Sequence, residues 1–156
     1  MPGKRRAVAK RRILCLSGPN LQLLGTREPE IYGRETLDDV HARVAVRARE
    51  LGAEVVCHQS NHEGELVERI GAARKDGFDA ILLNAAAYTH TSVALLDAIK
   101  AVALPCVEVH ISNPEAREPF RRRSLPARAC VAKVAGFGAD SYVLALEGVL
   151  RWLERR

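Results

Sequence analysis

The chain has 156 residues, of which 47% are hydrophobic and 28% are charged. This length suits one domain with a complete core and is short for two, and the composition is that of an ordinary globular protein. No apolar run approaches the roughly 18 residues that a membrane span requires, so we expect no membrane partner.

The basic residues that give the net charge of +5 are unevenly distributed. Six of the 24 lie in the first twelve positions, which contain no acid, and the remaining 18 face 19 acidic residues. A basic tail on a nearly neutral domain is typical of a solvated terminus and less often of a polyanion anchor. We therefore predict a disordered tail over residues 1–12, a single domain over residues 13–156, and no nucleic-acid partner. A nucleic-acid binder stays open as an alternative, under which deleting the tail would abolish the main activity.

The four cysteines are far apart, lie in apolar segments and form no CxxC pair: Cys15, Cys57, Cys106 and Cys130. This spacing argues against a zinc knuckle or a thioredoxin-type redox site. Four free thiols of this kind favour a reducing compartment, so we predict a cytoplasmic protein.

Apolar runs rich in β-branched residues alternate with segments of helical spacing along the whole chain. Strands are predicted, in chain order, at Ile13–Ser17, Glu54–Gln59, Ala80–Asn84, Pro105–Ile111 and Cys130–Ala135. Helices are predicted from Thr36, which forms a capping-box pattern with Asp39, to about Leu51, and then at Glu63–Lys75, Ser92–Ala101 and Ala139–Glu154. Continuous apolar strands that alternate with long helices indicate a parallel sheet covered on both faces. The predicted fold is therefore an α/β, flavodoxin-like three-layer sandwich with a five-stranded parallel sheet.

Polar groups interrupt three of these apolar runs where the strands end. Asn20 follows the first strand, Asn84 ends the third, and Glu108 and His110 lie at the end of the fourth. In this fold class ligands bind beyond the carboxyl ends of the strands, so the three positions together predict a site.

Several familiar motifs are missing from the sequence. No Gly-Lys-Ser/Thr follows the glycine-spaced loop at residues 18–25, and no complete dinucleotide fingerprint or nucleophile elbow occurs. The five histidines show no metal-binding spacing. We accordingly expect neither a metal nor an organic cofactor.

Two pairs of side chains could carry acid–base chemistry. Arg27 and Tyr32 share the long first loop, where a guanidinium could favour the phenolate of a tyrosine that serves as a general base, although a packed tyrosine and a solvated arginine fit the spacing too. Glu108 and His110 lie two apart on one strand and so share a face, where the carboxylate could orient a general acid or simply form a buried structural pair.

A pair of arginines could bind an anionic substrate. Arg117 and Arg121 are four apart, so on a helix after Pro114 they would share a face and could clamp a carboxylate, or they could be solvated surface charges. The Thr89–Ser92 segment could either cap the next helix or receive an anion.

Four blocks of sequence resemble the signatures of the type II 3-dehydroquinate dehydratases. These are GPNLQLLG at residues 18–25 with REP at 27–29 and YG at 32–33; QSN and EGEL at 59–66; NAAAYTHTSVAL at 84–95 with Asp97; and EVHISN at 108–113 with REPFR at 117–121. The similarity runs in register from about Ile13 to Leu153, which makes residues 13–156 a single catalytic domain by this resemblance. It implies conversion of 3-dehydroquinate to 3-dehydroshikimate by trans-dehydration through an enolate, within the shikimate pathway of aromatic amino acid biosynthesis.

The resemblance also implies a role for each matching residue. Tyr32 would be the base, Arg27 would lower its pKa, Asn20 would help to hold a water at the enolate oxygen, and His110, oriented by Glu108, would be the acid. The substrate would be held by Asn84, His90, Ile111, Ser112 and Arg121, and Arg117 would close over it. The family assembles as a homo-oligomer, a dodecamer of trimers, in which Asp97 reaches a neighbouring subunit's site.

Two alternatives stay open at this point, besides the nucleic-acid binder. The same reaction could serve quinate catabolism, or the chain could be a flavodoxin-like binding module without catalysis, which would purify yellow if it carried flavin. The type I route through a lysine Schiff base is disfavoured, because none of the five lysines lies at a predicted strand end within a motif.

Overall fold

The computed structural model describes residues 9–26 and 28–156, and for Tyr32 it describes the backbone. Residues 1–8 of the predicted tail and Arg27 lie outside the described residues. The strands are β1 (Arg11–Ser17), β2 (Ala53–Gln59), β3 (Ala80–Asn84), β4 (Cys106–His110) and β5 (Ala132–Ala135). The α-helices are α1 (Pro29–Tyr32), α2 (Leu37–Glu50), α3 (Glu63–Ala72), α4 (Val93–Val102) and α5 (Asp140–Glu154).

The five strands form one sheet in the order β2-β1-β3-β4-β5, and every neighbouring pair is parallel. Side chains alternate between the two faces of each strand, so each face carries its own apolar core. On one face Ile13 and Cys15 pack with residues of α2 and α5, and on the other Leu14 and Leu16 pack with residues of α3 and α4. The predicted three-layer α/β sandwich is confirmed.

Two helices begin directly after a residue whose side chain caps the first turn. Thr36 Oγ1 accepts from the backbone N–H of Asp39 at 3.2 Å, and the Asp39 carboxylate accepts from the backbone N–H of Thr36 at 3.0 Å, which completes the capping box of α2. Ser92 Oγ accepts from the backbone N–H of Leu95 at 2.9 Å and caps α4. Both caps satisfy backbone donors that the first helical turn leaves free.

The structure corrects several predicted boundaries. β1 begins at Arg11, and the backbone N–H of Arg12 donates to Asp79 at 2.8 Å, so these two residues belong to the sheet and not to the tail. β5 begins at Ala132 and not at Cys130, which follows a 3-10 turn at Pro126–Ala129. α3 ends at Ala72, three residues earlier than predicted, and the chain then turns toward Gly77. Apolar runs do not reveal where such turns interrupt regular hydrogen bonding.

Among the described residues, none of the helices combines the length and the apolar character needed to cross a membrane.

Candidate active site

A crevice opens where the chain leaves β1 and β3. The two strands are neighbours in the sheet, but the chain after β1 leads to α2 on one face and the chain after β3 leads to α4 on the other. This divergence is the topological switch point at which open α/β sheets bind their ligands.

The crevice holds a cavity whose empty space is about 780 Å³ with its open mouth included. Eight predicted site residues line it: Asn20, Asn84, His90, His110, Ile111, Ser112, Arg117 and Arg121. Its other walls are apolar or small residues: Pro19, Leu21, Leu24, Ala86, Ala87 and Pro114. The structure thus gathers polar groups from three of the four sequence blocks into one site.

Asn20 sits in an unusual backbone conformation at the rim of this cavity. Its φ is +68°, in the left-handed region that asparagine tolerates better than most residues. Its backbone N–H donates to the side-chain oxygen of Asn61 at 2.9 Å, and Gln59 Nε2 donates to the same oxygen at 3.1 Å. The second sequence block therefore supports the first loop from the neighbouring strand.

One ring nitrogen of His90 is hydrogen-bonded to the protein backbone. Its Nδ1 lies 2.7 Å from the backbone carbonyl oxygen of Arg123, which can only accept, so the hydrogen of a neutral ring resides on Nδ1. The opposite nitrogen, Nε2, is then an acceptor that suits a substrate hydroxyl.

Glu108 and His110 form a buried pair at the end of β4. Glu108 is 1% exposed, His110 is 7% exposed, and Nε2 of the histidine lies 3.3 Å from Oε2 of the glutamate. Residues two apart on a strand share a face, so the predicted proximity is confirmed. Because Nε2 lies against the glutamate, Nδ1 is the nitrogen left for a ligand.

Two further groups hold Glu108, and motif analysis missed both. Ser124 Oγ donates to Oε1, and Lys133 Nζ lies 3.7 Å from Oε2. Burial raises the pKa of the Glu108 carboxyl. The contacts with His110 and Ser124, together with the charge of Lys133, outweigh burial and hold that pKa below its ordinary 4.5. Glu108 therefore stays ionised near neutral pH, and its carboxylate lies where it can orient the ring of His110.

This lowered pKa predicts how acid affects stability. Glu108→Gln should reduce the free energy of unfolding by about 1–3 kcal/mol at pH 7, because it removes charge-assisted contacts inside the protein. A carboxyl whose pKa is depressed by folding stabilises the fold above its unfolded pKa, and that stability is lost as the pH falls through the folded pKa. The difference between wild type and Glu108→Gln should thus shrink as the pH falls below 4.5. Urea unfolding at a series of pH values measures it.

Glu147→Gln is the matched control for this experiment. Glu147 pairs with Arg47 at 2.7 Å, but both side chains are partly exposed, so its removal should cost less than about 1 kcal/mol. A loss for Glu108→Gln that stays constant from pH 7 to pH 3 would contradict the account.

Arg117 and Arg121 both line the cavity, but the helix predicted to carry them does not form. The segment contains two 3-10 turns, Pro114–Ala116 and Pro119–Arg122. Pro119 supplies no backbone N–H and disfavours a helical conformation in the residue before it, which prevents a continuous helix. Arg121 Nε instead donates to the carboxylate of Glu118 at 2.6 Å.

Among the described residues, Glu108 and Asp97 are the predicted site residues that do not line the cavity. Asp97 is exposed on α4 and does not line the cavity. Arg27 and the side chain of Tyr32 lie outside the described residues. Their predicted roles therefore stay predictions.

Gly18 brings the β1 and β3 loops together beside the site. Its N–H donates to the carbonyl of Asn84 at 2.8 Å, and a Cβ added to it would lie 2.6 Å from the carbonyl oxygen of Ala85. Gly18→Ala should therefore lower the free energy of unfolding by about 1–3 kcal/mol through steric strain, and should impair the site. Gly71→Ala on α3, where nothing lies within 4 Å, should instead stabilise by about 0.5–1 kcal/mol. Equal effects of the two changes in urea unfolding would contradict this.

Comparison with known proteins decides the family. The family model described as Dehydroquinase class II matches residues 11–150. The chain belongs to the class II dehydroquinase family. A 3-dehydroquinate dehydratase of Xanthomonas euvesicatoria is 58% identical over 143 residues, which covers 92% of this chain and 97% of the relative. A 3-dehydroquinate dehydratase of Phenylobacterium zucineum is 59% identical over 135 residues, covering 86% of this chain and 92% of the relative.

Solved structures of type II dehydroquinases share the fold. The enzyme from Butyrivibrio crossotus superposes with a TM-score of 0.89 at 37% identity, over 92% of this chain and 99% of that one. The enzyme from Propionibacterium acnes gives a TM-score of 0.86 at 40% identity, over 96% of this chain and all of that one. The family resemblance drawn from the four sequence blocks is confirmed.

Proposed function

We propose that the protein is a 3-dehydroquinate dehydratase of type II that forms 3-dehydroshikimate and water, as a step of the shikimate pathway. The observation that carries this proposal is the buried Glu108–His110 pair at the wall of a small-molecule cavity, in a chain of the class II dehydroquinase family. A relative named for this activity is 59% identical over 92% of its length.

The first chemical step is removal of a proton from C2 of the substrate, the carbon beside the C3 ketone. Tyr32 is the proposed base, and Arg27 would favour its phenolate by placing a positive charge nearby. The electron pair of the C2–H bond moves into an enolate, and a water held by residues including Asn20 would stabilise the enolate oxygen.

The second step expels the hydroxyl group at C1. His110 donates a proton to that oxygen, the C1–O bond breaks, and the enolate electrons form the C1–C2 double bond of a conjugated enone. The position of Glu108 beside Nε2 supports Nδ1 as the atom that gives the proton. Tyr32 returns its proton to solvent and His110 regains one, so no net change remains on the protein.

The other cavity residues would hold the substrate in place. Arg121 with the Ile111–Ser112 segment suits the carboxylate, because guanidinium and backbone N–H groups donate to anions. Asn84 and the acceptor nitrogen of His90 suit a hydroxyl, which both accepts and donates. Arg117 would close over the bound substrate.

The assembly is also part of the proposal. Asp97 is exposed on α4, which is compatible with a contact to another subunit's site in a cytoplasmic homo-oligomer, a dodecamer of trimers. Light scattering coupled to size exclusion measures the mass, and a monomer at micromolar concentration would contradict this part.

The direct test of the activity is to incubate the purified protein with 3-dehydroquinate and a metal chelator. The conjugated enone absorbs in the ultraviolet, so its absorbance should rise at a rate proportional to protein concentration. Folded protein that produces no enone would overturn the proposal.

A further inference from the structure

A tyrosine hydroxyl lies buried behind the cavity, on the side away from solvent. The phenolic oxygen of Tyr142, in α5, lies 3.0 Å from Asn84 Nδ2 and 3.0 Å from Ser17 Oγ. Tyr142 and Ser17 are fully buried, and Asn84, which lines the cavity, is 4% exposed. Three side chains from α5, β1 and β3 thus meet in one polar cluster inside an apolar core.

The donor and acceptor of each hydrogen bond in this cluster can be assigned. The backbone N–H of Ala86 can only donate, and it lies 3.1 Å from Asn84 Oδ1, so the oxygen of the amide faces Ala86. The amide nitrogen therefore faces Tyr142, whose oxygen accepts from it. The hydroxyl hydrogen of Tyr142 is then free to donate to Ser17 Oγ.

The amide is also tied to a constrained piece of backbone. Ala86 has a φ of +50°, a left-handed conformation that an alanine rarely adopts. Asn84 Oδ1 accepts from the N–H of this residue at 3.1 Å, so turning the amide over would leave this partly buried donor facing the amide nitrogen. Tyr142 and Ala86 therefore fix the Asn84 side chain from opposite ends.

We propose that Tyr142 is a positioning residue that, together with Ser17, fixes the Asn84 amide so that its second N–H faces the substrate. This inference rests on the proposed function, because it takes Asn84 as a group that binds a substrate hydroxyl. One Nδ2 hydrogen is committed to Tyr142 and Oδ1 faces Ala86, so the second Nδ2 hydrogen is the donor that Asn84 can offer to the substrate. The cavity would then present a donor from Asn84 and an acceptor from His90, a combination that selects a hydroxyl.

The hydroxyl of Tyr142 is suited to this task and unsuited to acid–base catalysis. Burial, with a smaller effect of the nearby Cys15 thiol, raises its pKa above the ordinary value, so it stays protonated. Its role is thus distinct from that proposed for Tyr32. Phenylalanine at position 142 would fill almost the same volume but leave Asn84 Nδ2 and Ser17 Oγ without this partner.

The test is the kinetic effect of Tyr142→Phe. Asn84 would bind a hydroxyl away from the bonds that react, so loosening it should weaken substrate and transition state alike. We expect KM to rise about tenfold, the equivalent of one lost hydrogen bond, with kcat within about twofold of wild type. A merely structural role would lower kcat through loss of active protein and leave KM unchanged.

Ser141→Ala is the matched control. Ser141 is the neighbouring residue on α5 and is fully buried. Its hydroxyl oxygen accepts from the backbone N–H of Phe137 at 3.0 Å, and among the described residues it makes no hydrogen bond to Asn84. Its loss should lower stability but leave KM within about twofold. An equal rise in KM for Ser141→Ala and Tyr142→Phe would overturn the proposal.

A double-mutant cycle shows whether Tyr142 acts through Asn84. In an Asn84→Ala background, Tyr142→Phe should change KM by less than about twofold, because the group that it positions is gone. Independent, multiplicative effects would overturn the proposal.

If Tyr142→Phe does not fold, Ser17→Ala gives the same test from the other end of the cluster. It removes the acceptor of the Tyr142 hydroxyl, and we expect KM to rise about threefold with Asn84 present and to stay unchanged in the Asn84→Ala background. An unchanged KM with Asn84 present would overturn the proposal. If the wild-type enzyme shows no turnover, the proposed function is wrong. If it is active but Tyr142→Phe and Asn84→Ala change KM independently, only this inference is wrong.

Discussion

Tyr32→Phe should lower kcat by at least about 10²-fold, because a general base contributes roughly 10²–10⁴ to the rate. The change deletes one hydroxyl and keeps the ring, so the fold should persist, as far-UV circular dichroism would show. The C2 hydrogens of the substrate should also stop exchanging with deuterium from the solvent, because the first proton transfer no longer occurs. Enone absorbance and mass spectrometry of recovered substrate measure the two effects.

Glu30→Gln is the control for this change. Glu30 is exposed on the same short helix, α1, so the variant disturbs the same segment without touching the base. Its turnover should lie within about twofold of wild type. Near-normal turnover of Tyr32→Phe would show that another residue is the base.

His110→Asn should also lower kcat by at least about 10²-fold, but with a different signature. The proposed acid acts after the enolate has formed, so the variant should still exchange the C2 hydrogen with deuterium from solvent while it forms little enone. Turnover in deuterium oxide, followed by mass spectrometry of the remaining substrate, separates exchange from dehydration. Exchange and dehydration lost to the same extent would mean that His110 is already required for proton removal.

His41→Asn is the matched control for the histidine. His41 lies half-buried on α2 and does not line the cavity, and burial lowers its pKa. Its replacement should change kcat by less than about twofold, so a large effect at His110 would not reflect histidine loss in general.

The fold could be predicted from sequence because its elements are marked by local signals. Apolar runs located all five strands to within two residues at their ends, and the caps at Thr36 and Ser92 fixed the starts of two helices. The end of α3 was predicted less accurately, at Lys75 instead of Ala72. A helix ends where turn hydrogen bonds replace helical ones, and the spacing of apolar residues does not show where this happens.

The cavity could be predicted only in part. The fold class predicts a ligand site at the carboxyl ends of the strands, which places Asn20, Asn84 and His110 together. The partners of Glu108 could not be found in this way, because Lys133 reaches it only through the register of β4 with β5, and Ser124 through an irregular loop.

The buried cluster behind Asn84 shows the same limitation. Tyr142 lies on the buried face of α5, where its position in the sequence predicts a core residue, and its contact with Ser17 spans 125 positions of the chain. Sequence spacing carries no sign of such a contact, and only the packing of α5 against the sheet reveals it.

In the proposed mechanism, an acid and a base on opposite faces of the substrate remove water through an enolate. The most direct measurement uses 3-dehydroquinate with deuterium in the one C2 position that is anti to the C1 hydroxyl, and determines the mass of the product. We expect the product to lose this deuterium, and to retain the deuterium when the label is in the other C2 position. A product that keeps the anti deuterium and loses the syn one would contradict the mechanism.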